Sequence, residues 1–217
     1  MAELNTPSKI IKLVNLKFLH TFVPNEHSLG MSKKEKILRT ALELIVKQGI
    51  QETPMSQISK VSGVAMGTIY HHFKSKNEIV NAIYIFLKQE MGNALLQEKN
   101  KSTDYKSMFF QFWSNLFEFY RRNEQAFKFL QTFSQSPLIS SEAKNDGLQY
   151  YNPIIRFFQE GLQNKNLKPI DLVLLTETIH GNIISLVQIH FQQTITVNEQ
   201  IIDQAINMSW NSVANKK

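Results

Sequence analysis

Ser62-Gly63-Val64-Ala65-Met66-Gly67-Thr68-Ile69-Tyr70-His71-His72-Phe73-Lys74-Ser75-Lys76 decides the fold of this 217-residue chain. A glycine turn leads into one or two helical turns, and an aromatic, basic exit follows. A short helix is presented to a DNA groove in this way, with its first residues (here Ala65, Met66, Gly67 and Thr68) toward base edges. Ile69 and Phe73 stand one turn apart and face inward. Gly67 costs about 1 kcal/mol inside a helix relative to alanine, which makes sense where the backbone must approach a phosphate or a thymine methyl. Thr68 offers a hydroxyl and a methyl, and either can read a base. Tyr70, His71 and His72 suit phosphate oxygens, which fix position rather than sequence. Lys76, in the first turn of the next helix, adds a charge beside free amides, and both attract phosphate. Adjacent His71 and His72 cannot face one metal from a helix, and no acidic or cysteine partner is spaced to help, so no metal site is expected.

The flanking sequence supplies a frame for that helix. Ser32-Lys33-Lys34-Glu35 reads as a capping box, in which Ser32 accepts the Glu35 amide and Glu35 reaches back. Ile37, Ala41, Leu44, Ile45 and Gln48 follow at helical spacing, and Gly49 is the stop. Thr53-Pro54 reads as an N-cap with proline at the first helical position. Met55, Ile58 and Val61 supply the inner face of that helix, which ends at Ser62-Gly63. Ser75-Lys76-Asn77-Glu78 is a second capping box, opening a long helix with Ile79, Ile83, Leu87 and Met91 along one side. Residues 32–73 thus form a three-helix bundle joined to a connecting helix.

Beyond it, Tyr105 to Gln135 reads as a helix pair broken near Asn123 and closed by Ser136-Pro137. Asn152-Pro153 begins a helix that stops at Gly161. Pro169 to about Gln192 is long and apolar, and Thr196-Val197-Asn198-Glu199 is a third capping box before a last helix through Trp210. The fold class is all-α, without internal repeats or low-complexity runs.

Charge is concentrated where the opening motif lies. The net charge is +6, and residues 31–76 hold eight Lys/Arg against three Asp/Glu, whereas residues 77–217 hold 13 of each sign. An electrostatic footprint for phosphate has this form; so does a solvated lysine-rich surface. The chain has no cysteine, which excludes disulfides, thiolate metal sites and cysteine nucleophiles and fits a reducing cytoplasm, the expected location. No apolar run reaches the roughly 18 residues that span a bilayer, and no stretch near the start has the order of a cleavable leader. Residues 1–30 carry a weakly amphipathic patch (Ile10, Ile11, Leu13, Val14, Leu16, Phe18, Leu19) that Pro24, Asn25, Ser28 and Gly30 break. Met31 is read as the natural initiator, and residues 1–30 as an upstream extension or loosely attached arm. No phosphate-binding glycine loop, zinc motif or nucleophile with a placed base is present, so neither an enzyme nor a cofactor is expected.

The stretch Thr53 to Lys76 resembles the helix-turn-helix of the TetR family of bacterial transcription regulators. Thr53, Ile58, Gly63-Val64, Gly67-Thr68-Ile69-Tyr70, His72-Phe73 and Lys76 stand in register with that family's signature, and about 60 residues are covered once the flanking helices are included. Ser59 and Ser62 replace alanines of the usual pattern. Ala65 replaces the serine that often caps the third helix, removing about 1 kcal/mol of capping. The resemblance implies a DNA-binding domain over 31–93 and a helical effector-binding and dimerisation domain over 94–217. It further implies a homodimeric repressor whose two recognition helices, about 34–36 Å apart, enter successive major grooves of a roughly palindromic operator. Met55, Ser56, Met66, Gly67, Thr68, Tyr70, His71, His72 and Lys76 correspond to DNA-facing positions.

A small-molecule effector is implied as well. Between Tyr105 and Phe133 lie 11 aromatics in 29 residues, more than one core face needs, and they suit an apolar or aromatic ligand; an aromatic-rich core is the alternative. Phe109, Trp113, Phe117, Tyr120, Phe129, Glu177 and His180 are the candidate ligand residues. Glu177 and His180 also read as satisfying each other at a helix seam. Gly181, Ile184, Val187, Ile202, Ile206 and Trp210 are the candidate dimer residues. A helical adaptor that binds protein instead of DNA is the competing class, and steep loss of binding with salt separates the two.

Overall fold

Ser32 starts the first described helix: its Oγ accepts the Glu35 amide at 3.1 Å, and α1 (Lys33–Gln48) follows. The computed structural model describes residues 31–97 and 104–215, so the reading of residues 1–30 lies outside the described residues. Only half of the capping box forms. The Glu35 carboxylate takes Arg39 Nε at 2.9 Å, because a cation one turn ahead offers a charge-assisted bond. Gly49 ends α1 with φ at +88°, a region open to glycine at no steric cost.

The helices α2 (Met55–Ser62), α3 (Met66–His72) and α4 (Lys76–Leu95) come next. Thr53 is not the cap of α2. Its wholly buried hydroxyl donates backward to the Gly49 carbonyl at 2.7 Å, since a buried hydroxyl needs a partner. The Pro54 carbonyl accepts the Gln57 and Ile58 amides of α2, and no side chain caps it. Val61 is 55% exposed; the inner face of α2 runs through Ile58 and Ser62, four residues apart. In α1 the buried stripe includes Leu38 and Leu42, while Leu44 is only half-buried.

Two compact units emerge. The first holds the described residues up to Glu90 together with Asn123–Tyr150. Here α1 lies against α2, α3 and α6 (Glu124–Phe133), around Ile37, Ile45, Ile58, Ile69, Ile79, Ile83 and Phe129, none exposed above 2%. Burying each such side chain contributes about 1.5–3 kcal/mol. A helix absent from the sequence reading, α7 (Ser141–Leu148), also belongs here. Its segment has no apolar stripe, and only Ala143 and Gly147 are buried. It packs by closeness: a Cβ on Gly147 would stand 2.9 Å from the Tyr84 ring.

The second unit holds Met91–Arg122 and the described residues from Tyr151 onward. Its centre is α5 (Tyr105–Arg122), against which α9 (Leu172–Gln192) and α10 (Glu199–Val213) pack, with α8 (Asn152–Gln163) beside α9. Helix α5 is buried on every side, which is why its aromatics do not follow a single stripe. Gly161 does not stop α8, which runs on to Gln163. The glycine is there because a Cβ would come 2.0 Å from the Tyr105 hydroxyl. The third capping box is also displaced: Asn198, a stronger cap than threonine, accepts the Ile201 amide at 3.0 Å, and α10 begins at Glu199. Helix α9 is long and apolar enough, by length and composition alone, to cross a membrane, although Glu177, His180 and Asn182 interrupt its apolar run. Its Leu175, Ile179, Ile183, Leu186 and Val187 are buried in the protein instead. Among the described residues there is no β-strand, only an isolated bridge between Leu167 and Ala214.

Candidate nucleic-acid interface

Ile69 and Phe73 anchor α3; they are 0% and 3% exposed. That leaves the other side of the helix outside: Gly67, Tyr70, His71 and His72 are exposed, and Met66 and Thr68 half-exposed. Tyr70 is 46% exposed, so it is not a core aromatic. Met55 and Ser56, in the first turn of α2, are half-exposed and exposed. A Cβ on Gly67 would meet nothing within 4 Å, so no internal contact calls for glycine at this position. Ala65 caps α3 without a side-chain bond, as the sequence suggests.

The turn between α2 and α3 is tied by the two serines that depart from the usual alanines. Ser59 Oγ donates to the Val64 carbonyl at 2.8 Å, and the Val64 amide donates to Ser62 Oγ at 3.2 Å. Gly63 between them sits in the left-handed region at φ +65°. From the sequence these serines were only departures; the bonds they make depend on the turn being closed. Two further lysines join the surface. Lys36 Nζ lies 3.9 Å from where a Gly63 side chain would start, and Lys74 Nζ reaches the Tyr70 carbonyl at 3.4 Å. Their signal in the sequence was the local excess of positive charge alone.

Lys76 is placed differently from the other eight candidates. Its Nζ donates to the Ile50 carbonyl at 2.5 Å and to the Gln51 carbonyl at 3.3 Å. Behind the surface, Arg39 bridges Glu35 and Glu90 at 2.9 and 2.7 Å and lies 4.9 Å from the centre of the Phe86 ring. Burial pushes the Glu90 carboxyl above its ordinary range, and the Arg39 guanidinium pulls against that shift.

The candidate effector residues separate into core and surface. Phe109, Trp113, Phe117 and Tyr120 are at most 1% exposed and pack largely on one another and their neighbours. Trp113 stacks on Phe117 at 5.8 Å and donates through Nε1 to Asn182 Oδ1 at 3.0 Å. Phe109 meets Trp210 edge-on at 5.1 Å. His180 Nε2 lies 3.3 Å from the Tyr120 hydroxyl, while Glu177 is exposed, so the seam partner of His180 is Tyr120 and not Glu177. Phe129 belongs to the first unit, 4.9 Å from Phe133. Of the candidate dimer residues, Val187 and Ile206 are core, at 0% and 1% exposure. Ile184, Ile202 and Trp210 are half-buried, and Gly181 is exposed with open space around it.

A short exposed helix on a buried three-helix frame, entered through a left-handed glycine turn, defines a helix-turn-helix protein. Within that class, residues 37–83 match the family described as "Bacterial regulatory proteins, tetR family", and residues 104–214 match "Tetracyclin repressor-like, C-terminal domain". The chain belongs to the TetR family, whose members are DNA-binding transcriptional regulators rather than enzymes. It is similar to the HTH-type transcriptional regulator AcrR of Shigella flexneri, 34% identical over 68 residues, which cover 31% of this chain and 32% of that relative. The chain thus aligns with about a third of that relative's length. It is also similar to the fatty acid metabolism regulator protein of Bacillus subtilis, 28% identical over 157 residues, covering 70% of this chain and 79% of the relative. The solved structure of a TetR family transcription regulator from Marinobacter aquaeolei VT8 shares the fold: TM-score 0.78, 22% identity, with 85% of this chain and 96% of that chain covered.

Proposed function

We propose that the protein is a cytoplasmic homodimeric repressor that binds a roughly palindromic operator and is released by a small apolar ligand. The DNA-binding domain is residues 31–93 and the effector and dimerisation domain residues 94–217. One observation carries the DNA contact. Gly67 stands in the exposed first turn of α3 with nothing inside the chain that needs it, while the opposite side of the helix is anchored by Ile69 and Phe73. A residue that costs about 1 kcal/mol in a helix is then explained by a partner outside the chain. Met66, Gly67 and Thr68 face base edges, and Met55, Ser56, Tyr70, His71 and His72 face the phosphate backbone. An apolar effector is supported by a relative named for fatty acid metabolism. Dimerisation through α9 and α10 is supported by their exposed apolar residues: Val173, Leu174 and Met208 are 61–68% exposed.

Selection of duplexes from a random pool tests the reading. The expected result is an enriched inverted repeat whose binding falls steeply with salt, with a log–log slope of about −0.9 per phosphate contacted, and is weakened by fatty acids or aromatic compounds. Failure to enrich any duplex, with salt-insensitive capture of a protein partner, would overturn it in favour of an adaptor.

A further inference from the structure

Gly49, Ile50, Gln51 and Glu52 form the turn between α1 and α2, and each of their carbonyls receives a side-chain donor. Thr53 Oγ1 donates to Gly49 at 2.7 Å, Lys76 Nζ to Ile50 at 2.5 Å and to Gln51 at 3.3 Å, and Gln48 Nε2 to Glu52. The same Gln48 nitrogen reaches Gln57 Oε1 at 2.8 Å. Thr53 and Gln48 are local to the turn. Lys76 comes from 25 residues downstream, at the opening of α4. A cation there sits at the end of a helix where the backbone dipole repels it, and the two carbonyl oxygens offset that repulsion. An ammonium has three donors, and two of them are engaged within the chain.

The connections make a closed triangle. The Gly63 turn joins the end of α2 to α3, residues 73–75 join the end of α3 to α4, and Lys76 joins α4 back to the start of α2. We infer that Lys76 is a positioning residue of the helix-turn-helix: its ammonium pins the α1–α2 turn to α4 and fixes the frame that presents α3, instead of serving as a phosphate contact. This rests on the DNA-binding reading of α3. It replaces the phosphate role that the family resemblance implies for this position.

Lys76→Arg and Lys76→Met in the full chain separate the two roles. Arginine keeps the charge and binds phosphate well, but its longer, planar fork does not reproduce the position of a compact ammonium on the two carbonyls. Methionine keeps the stem and removes the charge. The probe is a duplex enriched from a random pool by the unaltered protein, titrated at several salt concentrations. Positioning predicts that both variants bind about tenfold more weakly with the salt slope unchanged, and that amide hydrogen exchange in residues 50–53 accelerates in both. Wild-type affinity in Lys76→Arg, a slope reduced by about 0.9 in Lys76→Met, or unchanged exchange in the turn would each overturn the inference. If Lys76→Met does not melt cooperatively, Lys76→Arg decides alone. The exchange measurement needs no DNA, so failure of the pin and failure of DNA binding are read separately.

Discussion

At the scale of single residues, two helical glycines have opposite explanations. A Cβ on Gly67 meets nothing within 4 Å, so Gly67→Ala gains helix propensity at no steric cost. The expected outcome is a stability gain of about 1 kcal/mol, seen as a melting temperature higher by about 2–4 °C for a chain of this size. Duplex affinity in a mobility-shift titration is expected to fall, because in the proposed complex the added methyl stands between the backbone and DNA. Tighter binding by Gly67→Ala would show that no such close approach occurs. Gly161 looks like the same kind of residue in the sequence and was read as a helix end. Its reason is the Tyr105 ring from another helix, which leaves no room for a side chain. Sequence spacing registers the absence of a Cβ but not which neighbour requires it, so Gly161 was legible only as punctuation.

At the scale of elements, α3 is the least supported helix. It has seven residues and no side-chain cap. Ala65 nevertheless has the extended backbone of a cap, with φ −55° and ψ 140°, so Ala65→Ser can accept an amide of the first turn without rearrangement. The expected gain is about 1 kcal/mol locally, read as slower amide exchange in α3 without DNA. Unchanged exchange would mean that the Ser59 and Ser62 bonds already hold the helix start as firmly as a cap would. The existence of the helices was mostly legible, because apolar spacing and helix stops are local signals. What was not legible is where a polar side chain turns when it has two options. Glu35 prefers Arg39 to the capping position, Thr53 prefers the Gly49 carbonyl, and Asn198 displaces Thr196 as a cap. Each choice depends on a neighbour's geometry rather than on residue type. Helix α7 carries no apolar stripe to read: Ser140 caps it by accepting the Ala143 amide at 3.1 Å, and its Gly147 leaves no room for a side chain beside the Tyr84 ring.

For the whole molecule, the candidate dimer surface is sharpened by burial. Gly181 and Ser185 are exposed on α9 together with Leu174, a small-residue stripe open to close helix approach. Val187 and Ile206, candidate interface residues in the sequence, fill the core of the chain itself. Apolar residues on both sides of a long helix look alike in one dimension, and only the packed chain tells the two faces apart. Gly181→Glu is expected to yield monomers in sedimentation at micromolar concentration, with fold and melting temperature retained and binding to the two-fold operator lost. A persistent dimer would move the interface away from α9.

Both tryptophans of the chain, Trp113 and Trp210, lie in the second unit. Trp113 is wholly shielded from solvent, and Trp210 rests edge-on to Phe109. Tryptophan emission from this protein is therefore a native optical reporter of the second unit, to which the helix-turn-helix contributes no signal. Emission recorded alongside the anisotropy of a labelled duplex tests the proposed ligand binding and DNA release in one cuvette, without any added label on the protein.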